Sequence, residues 1–258
     1  MITEVSNPPE YASTTLSFLL LLPALFRFDA MSRNSSFLWR VKCSRVYFSL
    51  MRFLPGHFPL YFVTDHNLYS GRSKLEVIAS ALRGGIKLVQ YRDKVLPNDA
   101  FEAEALNALE LCRKHGATLI VNDRVHIAKK IGADGVHLGQ EDMDPVEARN
   151  ILGPDAILGL STHNEPEVLA AKDLPLDYIN IGPMFATATK EHLHFLGTDE
   201  VLRLAKLTPF RWTTMGGIKQ RHLLDLFGRG IHTVAMVTEI SMAEDVEKTV
   251  QELLLGIR

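Results

Sequence analysis

Residues 88–121 read LVQYRDKVLPNDAFEAEALNALELCRKHGATLIV: an extended run, a helix-length run, and a second extended run. Leu88–Tyr91 and Thr118–Val121 are short, apolar and rich in β-branched residues, as buried strands are. Between them Ala100–His115 has the length and spacing of an amphipathic helix. Asp99 is expected to cap its start, with Glu102 three residues on as the capping-box partner. Gly116, following Arg113, Lys114 and His115, suits its end. Two strands joined through a helix pair in parallel, with the helix lying on the sheet.

The same unit recurs on both sides. Further strands are expected at Leu60–Thr64, Gly135–Leu138, Ala156–Leu160, Tyr178–Ile181, Arg211–Met215 and Thr233–Val237. Helices are expected at Glu147–Leu152, Glu165–Leu174, Thr198–Leu207, Arg221–Phe227 and Ala243–Leu255, with Gly84-Gly85 and Gly228 stopping two of the helical segments. Eight strands with following helices is the count of a single closed (β/α)8 TIM barrel, an α/β fold for which 258 residues is an ordinary length. The barrel is expected to span residues 58–258.

Composition agrees with a domain that buries a large core: 47% of residues are hydrophobic and 22% charged. A net charge of −2 gives no overall field favouring nucleic acid or an anionic membrane, and neither is expected as a partner. Two cysteines, Cys43 and Cys112, stand in no metal-binding or redox spacing, as a reducing cytoplasm allows. Residues 1–57 differ from the rest, with six Lys/Arg against three Asp/Glu. Their apolar run Leu16–Phe26 is interrupted by Ser17 and Pro23 and falls short of the roughly 20 residues a membrane span needs. Glu4 and Glu10 precede that run where a signal peptide carries positive charge. The expectation is an extension outside the barrel, an untranslated or poorly ordered leader with Met31 or Met51 as the true start.

In such a barrel the chemistry sits at the C-terminal ends of the strands. After the second strand, Gln90, Arg92 and Lys94 alternate onto one face, two cations and an amide suited to a diphosphate. The alternative is a solvated rim pairing with Asp93. Asp123 and Asp142 leave neighbouring strands and suit one magnesium ion, which proteins hold with one or two carboxylates plus substrate phosphate oxygens. Their alternative is a helix cap and a loop charge. Ser161 can donate to a phosphate, and His163 reads more readily as a neutral loop residue than as a base. Thr187, Thr189 and Lys190 form a further phosphate-compatible set. Gly216-Gly217 after the seventh strand and Thr238 after the eighth match the usual barrel phosphate site, where bare N–H groups approach the anion. A side chain at Gly217 is expected to obstruct that anion and spare the fold. Two anion sites across one mouth suggest a reaction of two phosphorylated substrates.

Gln90-x-Arg92-x-Lys94, Asn122-Asp123-Arg124, Gly135-Val136-His137-Leu138-Gly139-Gln140-Glu141-Asp142, Gly159-x-Ser161-x-His163, Gly182-Pro183 with Thr187-x-Thr189-Lys190, and Gly216-Gly217-Ile218 together resemble the thiamine-phosphate synthase family. The resemblance runs from about Leu60 to the C-terminus. It implies that Gln90, Arg92, Lys94, Asn122, Ser161 and Lys190 hold an aminopyrimidine diphosphate, with Arg92, Lys94, Ser161 and Lys190 acting on the reacting group. It implies Mg2+ on Asp123 and Asp142, and a thiazole phosphate at Thr187, Thr189, Gly217, Val237 and Thr238. It also implies a dissociative reaction, in which diphosphate leaves before the thiazole nitrogen attacks. The partners expected are these small molecules, with assembly into a homo-oligomer left open. Tyr91 departs from the family's small aliphatic residue, His126 from a common acid, Glu191–Leu196 from the usual loop, and His232-Thr233 from Asp-Gly. Rival readings are a thiazole tautomerase of the same superfamily, a catalytically silent precursor-binding barrel, and a phosphosugar isomerase. The paired acids argue against the first, the retained cations and acids against the second, and the lack of an evident Glu base with a His electrophile against the third.

Overall fold

The computed structural model describes residues 58–67, 69–186 and 195–257. Residues 1–57, the expected extension, lie outside the described residues, as do Thr187, Thr189 and Lys190. Eight parallel strands close into a barrel in sequence order: β1 (Leu60–Val63), β2 (Leu88–Tyr91), β3 (Thr118–Asn122), β4 (Gly135–Leu138), β5 (Ile157–Thr162), β6 (Tyr178–Ile181), β7 (Arg211–Met215) and β8 (Val234–Met236). Pairing of Leu60 with Val234 and Phe62 with Met236 closes the sheet.

Helices follow the strands: α1 (Lys74–Gly84), α2 (Asn98–Lys114), α3 (Val125–Ile131), α4 (Pro145–Leu152), α5 (Glu165–Ala170), α6 (Gly197–Ala205), α7 (Gln220–Gly228), a one-turn α8 (Thr238–Ser241) and α9 (Val246–Leu255). Side chains cap several of them. Ser73 and Glu76 form a capping box on α1, and Asp144, Asn164 and Asp245 cap α4, α5 and α9. Three sequence expectations need correction. Pro97 stands at the N-cap of α2 and Asp99 lies within its first turn, so no capping box forms; Glu102 pairs with Lys130 at 2.7 Å instead. The helix expected over Ala243–Leu255 starts three residues later, at Val246, because Asp245 caps it there. Gly228 is the last residue of α7, and Gly230, at φ 87°, takes the left-handed turn beyond it. Among the described residues no helix is long and apolar enough to cross a membrane.

Period-two alternation sorts the strand residues into two cores. Phe62, Val89, Tyr91, Leu119, Val121, Val136, Leu158, Ile179 and Ile181 face the helices and join the larger core. Tyr61, Val63, Leu88, Ile120, Ile157, Tyr178 and Ala235 fill the lumen. Two glycines make room for large neighbours there, Gly135 for Ile157 and Gly159 for Tyr178. Gly159 is level with Tyr178 on the adjacent strand, and a Cβ at Gly159 would lie 2.2 Å from Tyr178 Cζ. The phenol thus occupies the space where a side chain on β5 would stand.

Gly159→Ala should therefore lower stability by roughly 1–3 kcal/mol through overpacking, read as a lower urea midpoint. Adding Tyr178→Phe should restore nothing, since the nearest contacts are ring carbons. An unchanged midpoint for Gly159→Ala would show that Tyr178 does not fill this space.

Candidate active site

At the C-terminal mouth of the barrel the strand ends and the loops after them surround a cavity of about 340 Å3. Gln90, Arg92, Lys94, Asn122, Asp123, Asp142, Ser161, Gly217, Val237 and Thr238 all line it. The structure therefore gathers ten of the thirteen expected site residues around one space; Thr187, Thr189 and Lys190 fall outside the described residues.

The expected alternation after β2 is present. Gln90 points into the lumen, where its Nε2 donates to Tyr61 Oη at 2.7 Å, and Tyr91 between them faces the helices. Arg92 Nη1 donates to Asp65 Oδ1 at 2.6 Å, so a carboxylate from the end of β1 orients the guanidinium. Lys94 bonds Asp123. Asp93 is not the rim partner of these cations. It is buried, bonded to Lys74 Nζ at 2.5 Å, and accepts the N–H groups of Val95 and Leu96 at 2.8 and 2.9 Å. Burial raises its pKa, but the Lys74 bond and those N–H groups outweigh that and hold it below the usual carboxylate value. Asp93 thus pins the loop that carries Arg92 and Lys94. Arg124 holds the same loop by donating to the carbonyls of Asp93 and Leu96.

The two candidate metal acids meet. Asp123 has φ 59°, in the left-handed region that Asp tolerates better than most residues. Arg124, not Asp123, stands at the N-cap of α3, so the helix-cap alternative fails. The Asp123 carboxyl lies beside that of Asp142, whose Oδ2 accepts Gly139 N–H at 2.6 Å. Burial, then the neighbouring carboxyl, push the Asp123 pKa up to about 6, whereas the Asp142 pKa is lowered by its hydrogen bonds despite its own burial. Two neighbouring carboxyls with one ammonium, Lys94, between two potential negative charges are an apt donor set for a hard divalent cation. Among the described residues no group of three or more His, Cys, Asp or Glu could hold a metal unaided. The pair thus fits Mg2+ if phosphate oxygens complete its coordination.

Asp65, His137, Asn180 and Lys219 are polar residues of the cavity wall to which the sequence alone gave no site role. Alternation marks two of them, since Asp65 continues the inward face of Tyr61 and Val63, and Asn180 that of Tyr178. His137 is buried, with Nδ1 2.9 Å from Tyr178 Oη and Nε2 2.9 Å from Ser161 Oγ. The chain Gln90–Tyr61–Tyr178–His137–Ser161 thereby forms a buried polar floor under the cavity. Burial lowers the His137 pKa to about 4. His163 also lines the cavity, its Nδ1 2.8 Å from Glu167.

On the far side, Gly216 and Gly217 have φ 104° and 61°. A Cβ at Gly217 would lie 2.3 Å from the Ala186 carbonyl oxygen. This corrects the expectation that a side chain at Gly217 spares the fold, because the glycine is needed where the β7 turn meets the loop after β6. Val237 follows β8, and Thr238 opens α8.

A model of the thiamine monophosphate synthase family matches residues 60–240. A thiamine-phosphate synthase from Caldicellulosiruptor bescii is 38% identical over 197 residues, covering 76% of this chain and 90% of that protein. One from Persephonella marina is 37% identical over 194 residues, 75% of this chain and 93% of the other. Among solved structures, a thiamine phosphate pyrophosphorylase from Pyrococcus furiosus superposes with a TM-score of 0.72 at 29% identity, over 80% of this chain and 98% of that one.

The low pKa of His137 predicts an acid limb in stability. An unfolded histidine titrates near 6.5 and His137 in the fold near 4, so between these values the unfolded chain binds the extra proton. Its contribution is intact above about pH 6.5 and shrinks as pH falls, levelling off below about 4, a loss of roughly 2–4 kcal/mol. Denaturant unfolding across pH 4–7 should show that loss in the parent and a flatter profile in His137→Gln. Parallel profiles for the two proteins would mean that His137 is not held neutral.

Proposed function

The chain belongs to the thiamine monophosphate synthase family, and from that premise we propose that it is a thiamine-phosphate synthase, a transferase. It condenses 4-amino-2-methyl-5-hydroxymethylpyrimidine diphosphate with 4-methyl-5-(2-phosphoethyl)thiazole to give thiamine phosphate and diphosphate. The observation that carries this reading is the single cavity in which the two cations after β2 and the paired acids of β3 and β4 face the bare glycine turn of β7.

In this reading Gln90, Arg92, Lys94, Asn122, Ser161 and Lys190 hold the pyrimidine diphosphate. The bond from the pyrimidine methylene to the diphosphate oxygen breaks, its electron pair leaving on that oxygen. The thiazole nitrogen then adds its lone pair to the methylene cation, so no side-chain nucleophile is required. Arg92 and Lys94 stabilise the charge that grows on the departing oxygen. Asp65 keeps the guanidinium aimed so that little reorganisation is needed. Ser161, placed by His137, contributes a hydroxyl whose position is set before substrate arrives. Asp123 and Asp142 would hold Mg2+, which supplies positive charge to the diphosphate oxygens. Thr187, Thr189, Gly217, Val237 and Thr238 serve the thiazole phosphate. The catalytic unit is residues 58–258, with 1–57 an extension outside it. Its site of action in this reading is the cytoplasm, which the two cysteines, in no redox or metal spacing, allow.

Purified protein supplied with both substrates and Mg2+ should form thiamine phosphate, and EDTA should abolish the product. Asp142→Ala should lose most turnover with its circular dichroism unchanged. Full-rate synthesis in EDTA, or by Asp142→Ala, would remove the metal assignment.

Arg92→Ala and Lys94→Ala should each weaken the pyrimidine diphosphate by about 1.5–3 kcal/mol, the worth of a hydrogen bond to a charged group. The KM for the thiazole should hardly move. Equal effects on both substrates in steady-state kinetics would contradict the two-sided assignment.

A further inference from the structure

Among the described residues, those assigned to the thiazole phosphate, Gly217, Val237 and Thr238, bring N–H groups and a hydroxyl but no full positive charge. A phosphate monoester carries close to two negative charges at neutral pH. One cation stands on that side of the cavity without a role. Lys219, two residues beyond Gly217, lines the same space. Its Nζ lies 2.8 Å from Glu239 Oε2 and 3.5 Å from Thr238 Oγ1. Glu239 has its own anchor, since its Oε1 accepts the backbone N–H of Gln220 at 2.9 Å. The Lys219 side chain is 36% exposed and that of Glu239 21%. An ion pair this open to water binds weakly, so the ammonium can take on a phosphate oxygen without giving up a tight partner.

We propose that Lys219 is the charge-bearing residue for the phosphate of the second substrate, and that it makes the protein select the phosphorylated thiazole over the free alcohol. Glu239 is the competing counter-ion that holds the ammonium beside Thr238 until the phosphate arrives. This rests on the synthase reading above and adds to it a residue and a basis of selectivity. The lysine supplies a point charge, which suits a freely rotating terminal phosphate better than a directional fork would.

The two partners can be separated because their substitutions should act in opposite directions. Lys219→Met keeps the stem and removes the charge. Glu239→Gln keeps an oxygen to accept the Gln220 N–H and removes the competing charge. The full chain and both variants are assayed in steady state with the thiazole phosphate and with the unphosphorylated thiazole alcohol. Lys219→Met should raise the KM for the thiazole phosphate about 10- to 100-fold, the range for a hydrogen bond to a charged group. Its kcat and its KM for the pyrimidine diphosphate should stay near the parent's. Preference for the phosphate over the alcohol should fall by the same factor. Glu239→Gln should lower the KM for the thiazole phosphate and leave the alcohol unaffected. The proposal is overturned if Lys219→Met leaves that KM unchanged, if it weakens both thiazoles equally, or if Glu239→Gln raises the KM as Lys219→Met does. In each of those cases a parent that makes thiamine phosphate keeps the synthase reading standing. A parent that makes none removes that reading and this proposal with it.

Discussion

Closing β8 onto β1 leaves no free strand edge and obliges every strand to send alternate side chains into a lumen shared by all eight. That lumen is narrow, so its filling must be complementary: Tyr61 and Tyr178 meet edge to face across it, and Gly159 leaves room for a ring. Position along a strand then becomes depth, and depth sets chemistry. The apolar layer of Leu88, Ile120 and Ile157 gives way towards the C-terminal ends to Gln90, Asn122, His137, Ser161 and Asn180. One register of alternation thus builds both the inner core and the floor of the cavity.

A polar floor beneath a buried core is stable only if its groups are satisfied. The lumen meets this with one hydrogen-bonded chain from Gln90 through the two tyrosines and His137 to Ser161. Low polarity around His137 penalises the imidazolium, which is why it is kept neutral and acts as a fixed hydrogen-bonding post. The site's hydroxyl is therefore positioned by the same packing that stabilises the barrel.

Among the described residues, the Lys and Arg side chains lining the mouth each have a counter-ion in place: Arg92 with Asp65, Lys94 with Asp123, Lys219 with Glu239. Such pairs hold long, flexible side chains over the cavity, reducing the ordering that an anionic substrate would otherwise impose. The deeper pair, Lys74 with Asp93, belongs to the scaffold. It lies between α1 and the β2 loop, with Tyr91 donating to Glu104 beside it. Removing Lys74 would leave Asp93 buried without a cation, and removing Asp93 would leave Lys74 only the longer contact to Glu104 at 3.6 Å.

Local chemistry made much of this legible from the sequence. β-Branched runs at regular spacing gave the eight strands to within two residues at each end, and alternation after β2 placed Gln90, Arg92 and Lys94 on one face. Those properties belong to short segments, and no distant contact is needed to read them. Pairing between segments was not legible. Asp93 looked as available to Arg92 as Asp65 is, and only closure of β1 beside β2 brings Asp65 to the guanidinium and turns Asp93 outward to Lys74. His137 carried no visible role until β5 and β6 set Ser161 and Tyr178 against its two nitrogens. Gly217 read as a bare anion-binding turn, yet its close approach to Ala186 depends on where the loop after β6 runs. The sequence by itself determined the order of strands and which residues stand at their ends, because propensity and periodicity are local. Which charges pair, which polar groups are buried and which glycines are sterically required were decided by the tertiary structure, because each depends on a neighbour brought near only when the barrel closes.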